Sequence, residues 1–202
     1  MSRLPLSHYV PHLTGVAIGM ALSTLIVPMP KLLVWNASPS APVGLYAINP
    51  LRDPAVGDMV AVAPPPALAR LMAERHYLPV GVPLLKRIAA RPGAQICRRD
   101  RAVTIDGRRA AIARTSDSHG RPLPVWRGCH VLRDDELFLL NDATDSFDGR
   151  YFGPILATGL RGRATPILTR DTPDAPLRWR FGGARSHPSI TQKEKSDADR
   201  LL

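Results

Sequence analysis

Proline limits this chain more than any other residue. Its 202 residues include 21 prolines and 15 glycines. A proline inside a helix removes a backbone hydrogen bond and clashes with the preceding turn. A chain punctuated this densely cannot be an all-helical bundle. The apolar segments between the breaks are short and read as strands: residues 59–63, 84–90, 94–99, 102–105, 131–132, 137–140, 152–158 and 160–168. Residues 36–48 read as a loop or extended segment entering a strand, and Asp106-Gly107 is a hairpin turn signal. One helix is predicted over residues 67–75, opened by Pro64-Pro65-Pro66, with Leu68, Leu71 and Met72 on one face. The pattern is that of a mainly β domain.

Composition removes other classes. Hydrophobic residues make up 45% of the chain, enough for a core, so full-length disorder is excluded. Two cysteines cannot build a disulfide-dense scaffold or a four-thiolate zinc site. The histidines at 8, 12, 76, 119, 130 and 187 show no metal-ligand spacing, and no Gly-rich phosphate loop follows a strand. Neither a metal nor a cofactor is expected.

Residues 4–30 carry no formally charged side chain, only His8 and His12. A membrane-spanning helix needs about 20 mostly apolar residues, and residues 10–30 reach that length. A cleaved signal peptide or a buried core helix are the alternatives. A signal peptide ends in a small-residue cleavage site, whereas this stretch runs into Pro28, Pro30 and Lys31. The expectation is therefore an N-terminal anchor over residues 1–35, a folded domain over 36–170, and a flexible tail over 171–202, where periodic apolar content fades.

The formal net charge is +10. Much of it lies in residues 86–114, where nine basic side chains face two acidic ones. Such a stripe suits phosphate, but the segment has no aromatic residue for base stacking. A solvated strand face is the better reading, and no nucleic-acid partner is expected.

The basic residues are informative in another way. The only lysines are Lys31, Lys86, Lys193 and Lys195. The predicted folded domain thus holds a single lysine, Lys86, directly after Val82-Pro83-Leu84-Leu85. Burial disfavours the ammonium form and lowers the pKa, which turns a lysine into a general base. Arginine cannot lose its proton in this way. The alternative is a strand-edge lysine with its head in water.

A nucleophile for such a base is present. Ser38-Pro39-Ser40-Ala41-Pro42-Val43-Gly44-Leu45-Tyr46 follows the apolar segment. Here the sequence resembles the type I signal peptidase superfamily, and within it the conjugative-transfer peptidases of the TraF type. Those place a Ser-x-Pro-x-Gly-[Leu/Ile]-Tyr motif after an N-terminal anchor. Gly57-Asp58-Met59-Val60 is similar to the family's Gly-Asp strand motif. Leu85-Lys86-Arg87-Ile88 with Arg91-Pro92-Gly93 resembles its lysine box, and Ser146 to Gly153 resembles its Ser-x-Asp-x-Arg-x-x-Gly box. Ala41-Pro42-Val43-Gly44, and Gly149 in Asp-Gly-Arg, depart from the general secretory enzymes toward the conjugative branch.

The resemblance implies a signal-peptidase-like antiparallel β catalytic domain on the periplasmic side of the bacterial inner membrane. It implies Ser40 as nucleophile and Lys86 as general base. The oxyanion hole would be formed by the Ser40 N–H and the Ser38 hydroxyl. Ser146 would orient the base, with Asp148 and Arg150 as a supporting ion pair. The residue-level alternative for 146–150 is an ordinary turn, with Asp142 or Asp145 as the real partner. The substrate would be a pilin precursor or another exported protein cut after small residues, and the partner the conjugative transfer machinery. In an oxidising compartment Cys97 and Cys129 would pair as a disulfide; two buried free thiols are the alternative. A soluble Ser-Lys autoprotease repressor and a non-catalytic component of the transfer apparatus are the remaining functional alternatives.

Overall fold

The computed structural model describes residues 11–16, 18–19, 32–172 and 174–180. Two compact units divide at residue 31. In the first, residues 11–16 and 18–19 are helical. Most of the expected anchor lies outside the described residues. Among those described, no helix is long and apolar enough to cross a membrane.

The second unit is built almost wholly from antiparallel strands. β1 (Leu32–Asn36), β2 (Val43–Asn49), β3 (Met59–Val62), β4 (Leu84–Ala90), β9 (Glu136–Leu140), β10 (Ile155–Leu156), β11 (Leu160–Arg170) and β12 (Arg178–Trp179) form the larger sheet. Its order is β1-β2-β11-β3-β4-β9-β10, with β12 on β11. A smaller sheet orders β7 (Arg108–Ile112), β6 (Ala102–Ile105), β5 (Gln95–Arg99) and β8 (Gly128–Val131). Both faces of the large sheet are apolar. Tyr46, Ile48, Ala61 and Leu85 pack in one cluster, and Val60, Val62, Ile88 and Leu139 in another. A third cluster, with Ile96, Val103 and Phe138, joins the two sheets.

Three boundaries differ from expectation. Leu32-Leu33-Val34-Trp35 belongs to the sheet and not to an anchor: β1 pairs with β2 from Leu32↔Ile48 to Asn36↔Gly44. Beyond residue 170, the chain adds β12, with Leu168↔Trp179 in register. Residues 149–152, divided in the sequence between loop and strand, form a one-turn helix. The long helix is α1 (Pro66–Glu74) and this short one is α2 (Gly149–Phe152). The hairpin at Asp106-Gly107 is present, with φ of 49° and 78° at the two residues, both in the region a tight two-residue turn requires.

Cys97 and Cys129 sit directly opposite one another on β5 and β8 and are joined as a disulfide. The bond closes a loop with a sequence separation of 32, which in the chain-entropy model contributes about 3–4 kcal/mol. The Cys97→Ser/Cys129→Ser variant is expected to unfold at lower denaturant by that amount, and the native protein to titrate no free thiol. Two free thiols in the native protein would contradict the pairing.

Candidate active site

The site begins at the end of β1. Asn36 accepts from the Ser38 N–H at 3.1 Å and donates to the carbonyls of Ser38, Ala41 and Pro42 at 2.9–3.1 Å. The Tyr46 hydroxyl donates to the Pro42 carbonyl at 2.7 Å. These bonds fold residues 37–42 into a fixed turn between β1 and β2 that carries Ser38 and Ser40. Gly44 follows in β2 with φ of 144°, and a Cβ there would lie 2.1 Å from the Leu168 carbonyl oxygen. Only glycine lets β11 approach so closely behind the turn.

Lys86 stands in the middle of β4, registered against Val60 of β3. It is 3% exposed, so the reading of a solvated strand-edge lysine does not hold. Its Nζ lies 2.8 Å from Ser146 Oγ and 3.5 Å from Ser40 Oγ. Burial pulls its pKa from 10.5 down to about 8; Asp148 and Asp145 oppose the shift and Arg150 assists it. Ser38 Oγ lies 3.0 Å from Ser40 Oγ and accepts the Ser40 N–H at 3.3 Å. The four expected side chains Ser38, Ser40, Lys86 and Ser146 are therefore brought into one chain of contacts.

Behind Ser146, Asp148 and Arg150 form a fully buried pair. Arg150 Nε and Nη2 donate to the two Asp148 carboxylate oxygens at 2.8 and 3.0 Å. The guanidinium also donates to the carbonyls of Asn141 and Thr144 at 2.6 and 3.2 Å. Residues 141–150 are thus an ordered loop wrapped around one ion pair, not a simple turn. Ser146, and neither Asp142 nor Asp145, makes the hydrogen-bonded contact to Lys86. Gly149 explains the Asp-Gly-Arg spelling: a Cβ there would meet the Leu139 carbonyl oxygen at 2.7 Å and the Phe138 ring at 2.7 Å.

A cavity of about 370 Å³ opens in front of these residues. Ser38, Ser40, Lys86 and Ser146 line it together with Met72, Tyr77, Leu84 and Phe147. Phe147 stacks on Tyr151 at 5.6 Å and contacts Tyr77 at 5.1 Å. The Tyr77 hydroxyl donates to Asp117, which Arg121 also holds at 2.7 Å, so the turn after α1 and the loop after β7 are tied together beside the cavity. Among the described residues no group of three or more His, Cys, Asp and Glu side chains is arranged to hold a metal ion.

The sequence reading missed the supporting roles of Asn36, Asn141 and Arg98. Asn36 ends β1 with an amide at a turn, a signal of local side-chain capping that the sequence does carry. Arg98 is buried and donates to the Arg150 carbonyl at 2.6 Å, which links the small sheet to α2. In sequence Arg98 is one of the many arginines of the basic stretch over residues 86–114, and nothing local separates it from its neighbours.

The model of the signal peptidase family, peptidase S26, matches residues 7–169. The chain belongs to this family. A conjugal transfer protein TraF of Agrobacterium fabrum (strain C58 / ATCC 33970) is 39% identical over 146 residues, covering 67% of this chain and 82% of its own. A probable conjugal transfer protein TraF of Sinorhizobium fredii (strain NBRC 101917 / NGR234) is 35% identical, covering 75% and 88%. A plasmid transfer protein TraF of Escherichia coli is 32% identical, covering 66% and 81%. The family member described here thus resembles the conjugative branch, in the direction indicated by residues 41–44 and Gly149.

Proposed function

We propose that this protein is a membrane-anchored serine endopeptidase of conjugative transfer. In this reading it cuts a pilin precursor after small residues on the periplasmic side of the inner membrane. The observation that carries the reading is a buried lysine, Lys86, its pKa lowered to about 8, with two serine hydroxyls within 3.5 Å of its Nζ. That arrangement is what an activated nucleophile requires.

Neutral Lys86 takes the Ser40 proton as Ser40 Oγ attacks the scissile carbonyl, and an acyl-enzyme forms. The resulting Lys86 ammonium gives a proton to the leaving amine, and a water activated by Lys86 then releases the acyl group. The 3.5 Å contact between Lys86 and Ser40 is long, as such contacts often are until a substrate closes the site. Ser146 fixes the ammonium so that Nζ stays aimed at Ser40. The oxyanion falls to the Ser40 N–H and the Ser38 hydroxyl. Ser38 Oγ accepts that N–H, so the substrate oxygen displaces it. Ser38 is exposed, and its hydroxyl rotates to become the second donor without repacking a core. An extended substrate segment would pair along a strand edge beside the cavity.

The working form carries a neutral Lys86. The kcat/KM is therefore expected to rise with pH through a midpoint near 8, and not near 10.5. At pH 7 about one molecule in ten is in the working form. A pH–rate profile over the acid limb checks this. The substrate is tested by incubating the full chain with a conjugative pilin precursor. Shortening of the precursor is expected with the wild type and not with Ser40→Ala; equal shortening with both would reject the reading.

A further inference from the structure

Asn141 is the first residue past β9, where the chain turns away from β4. The last aligned pair on this side is Arg87↔Leu140. Past that pair β9 has no strand residue to continue the ladder opposite Leu85. The Asn141 side chain takes that place and also reaches Arg87. Its Nδ2 donates to the Leu85 carbonyl at 3.1 Å, and its Oδ1 accepts from the Arg87 N–H at 3.1 Å. The carboxamide thus stands in for a peptide unit and grips the two residues on either side of Lys86.

The main chain of Asn141 reaches the other way. Its N–H donates to Asp148 Oδ2 at 3.0 Å, and its carbonyl accepts from Arg150 at 2.6 Å. Asn141 is 5% exposed and makes all four bonds at once. One residue therefore couples the strand that carries Lys86 to the ion pair that shapes the loop carrying Ser146.

We propose that Asn141 is a positioning residue for Lys86: its side-chain amide sets the spacing between β4 and the Ser146 loop and keeps water from Nζ. The proposal deepens the Ser40–Lys86 reading and rests on it. The polar and charged groups that act on Nζ are Ser40 from the turn after β1, and Ser146, Asp145, Asp148 and Arg150 from the loop and α2. Loosening that contact admits water and removes the main cause of the lowered pKa. In Asn141→Asp the Arg87 N–H keeps its acceptor, the Leu85 carbonyl loses its donor, and an added negative charge favours the ammonium. Both effects push Lys86 upward.

The test reads Lys86 directly, without a substrate. The full chain is labelled with 13Cε-lysine, and the four lysine signals are titrated by NMR; Lys86 is assigned by its loss in Lys86→Met. Wild-type Lys86 is expected to titrate well below the other three. Asn141→Ala is expected to raise its midpoint by about one unit, and Asn141→Asp by at least as much. The acid limb of kcat should move with it while KM stays put. A folded Asn141→Ala with an unmoved Lys86 midpoint would overturn the proposal, as would a kcat lowered equally at every pH. If Asn141→Ala fails to fold, the uncharged Asn141→Ser, which lacks the reach to hold both Leu85 and Arg87, carries the same comparison. A wild-type Lys86 that titrates with the other lysines would contradict the general-base reading itself, so the two failures are separable.

Discussion

Ser40→Ala is expected to lower kcat for precursor cleavage by roughly four to six orders of magnitude, leaving only what binding and the oxyanion donors supply. Lys86→Met should cost about as much. The double variant should be no worse than either single one, because residues that act as a unit are not additive. Lys86→Arg should not rescue activity, since a guanidinium keeps its proton. Stability should respond in the opposite sense. Lys86 carries a folded-state pKa near 8 against an ordinary 10.5. Between those values the unfolded chain binds a proton that the folded one lacks. Wild-type stability should therefore rise with pH across that window. The folded state at pH 7 holds a charge it solvates poorly, and Lys86→Met removes it. Its melting temperature should match or exceed that of the wild type, and the rise with pH should disappear. Thermal melts at pH 7 and pH 9 on both proteins check the sign.

The second large effect falls on the Asp148–Arg150 pair. Both side chains are buried, and Arg150 makes four hydrogen bonds through its side chain. Removing one partner leaves a buried charge without compensation, which costs about 3–5 kcal/mol. Arg150→Ala is expected to lose that much in urea unfolding. Arg150→Lys should recover little of it, because an ammonium cannot reach Asp148, Asn141 and Thr144 at once from one planar fork. Cleavage should fall too, since the same pair holds the loop on which Ser146 meets Lys86. An Arg150→Ala protein as stable as the wild type would mean that the pair is not what orders residues 141–150.

How much of this was legible in the sequence depends on how local each cause is. Lys86 stood out because the predicted domain has no other lysine, and burial then gave that scarcity its meaning. Most strands were visible because apolar runs between prolines and glycines are a local signal. β1 was absorbed into the apolar N-terminal region, because Leu32-Leu33-Val34-Trp35 has no polar alternation to set it apart. β7 begins with two arginines and has little apolar content, so only the Asp106-Gly107 turn announced it. α2 is one turn long and shows no periodicity; its start is fixed by Asp148, whose side chain accepts the Arg150 N–H. The roles of Asn141 and Arg98 come from partners distant in sequence, 56 residues away for Leu85 and 52 for Arg150. No window of sequence carries such contacts.

In the proposed mechanism peptide cleavage passes through an ester on Ser40. This step is tested most directly by mixing the full chain with precursor, quenching in acid within the first turnovers, and mapping the protein by mass spectrometry. A transient adduct is expected on the peptide carrying Ser40, equal in mass to the acyl fragment of the substrate and missing in Ser40→Ala. Product formed at an undiminished rate by Ser40→Ala, with no adduct at Ser40 in the wild type, would contradict it.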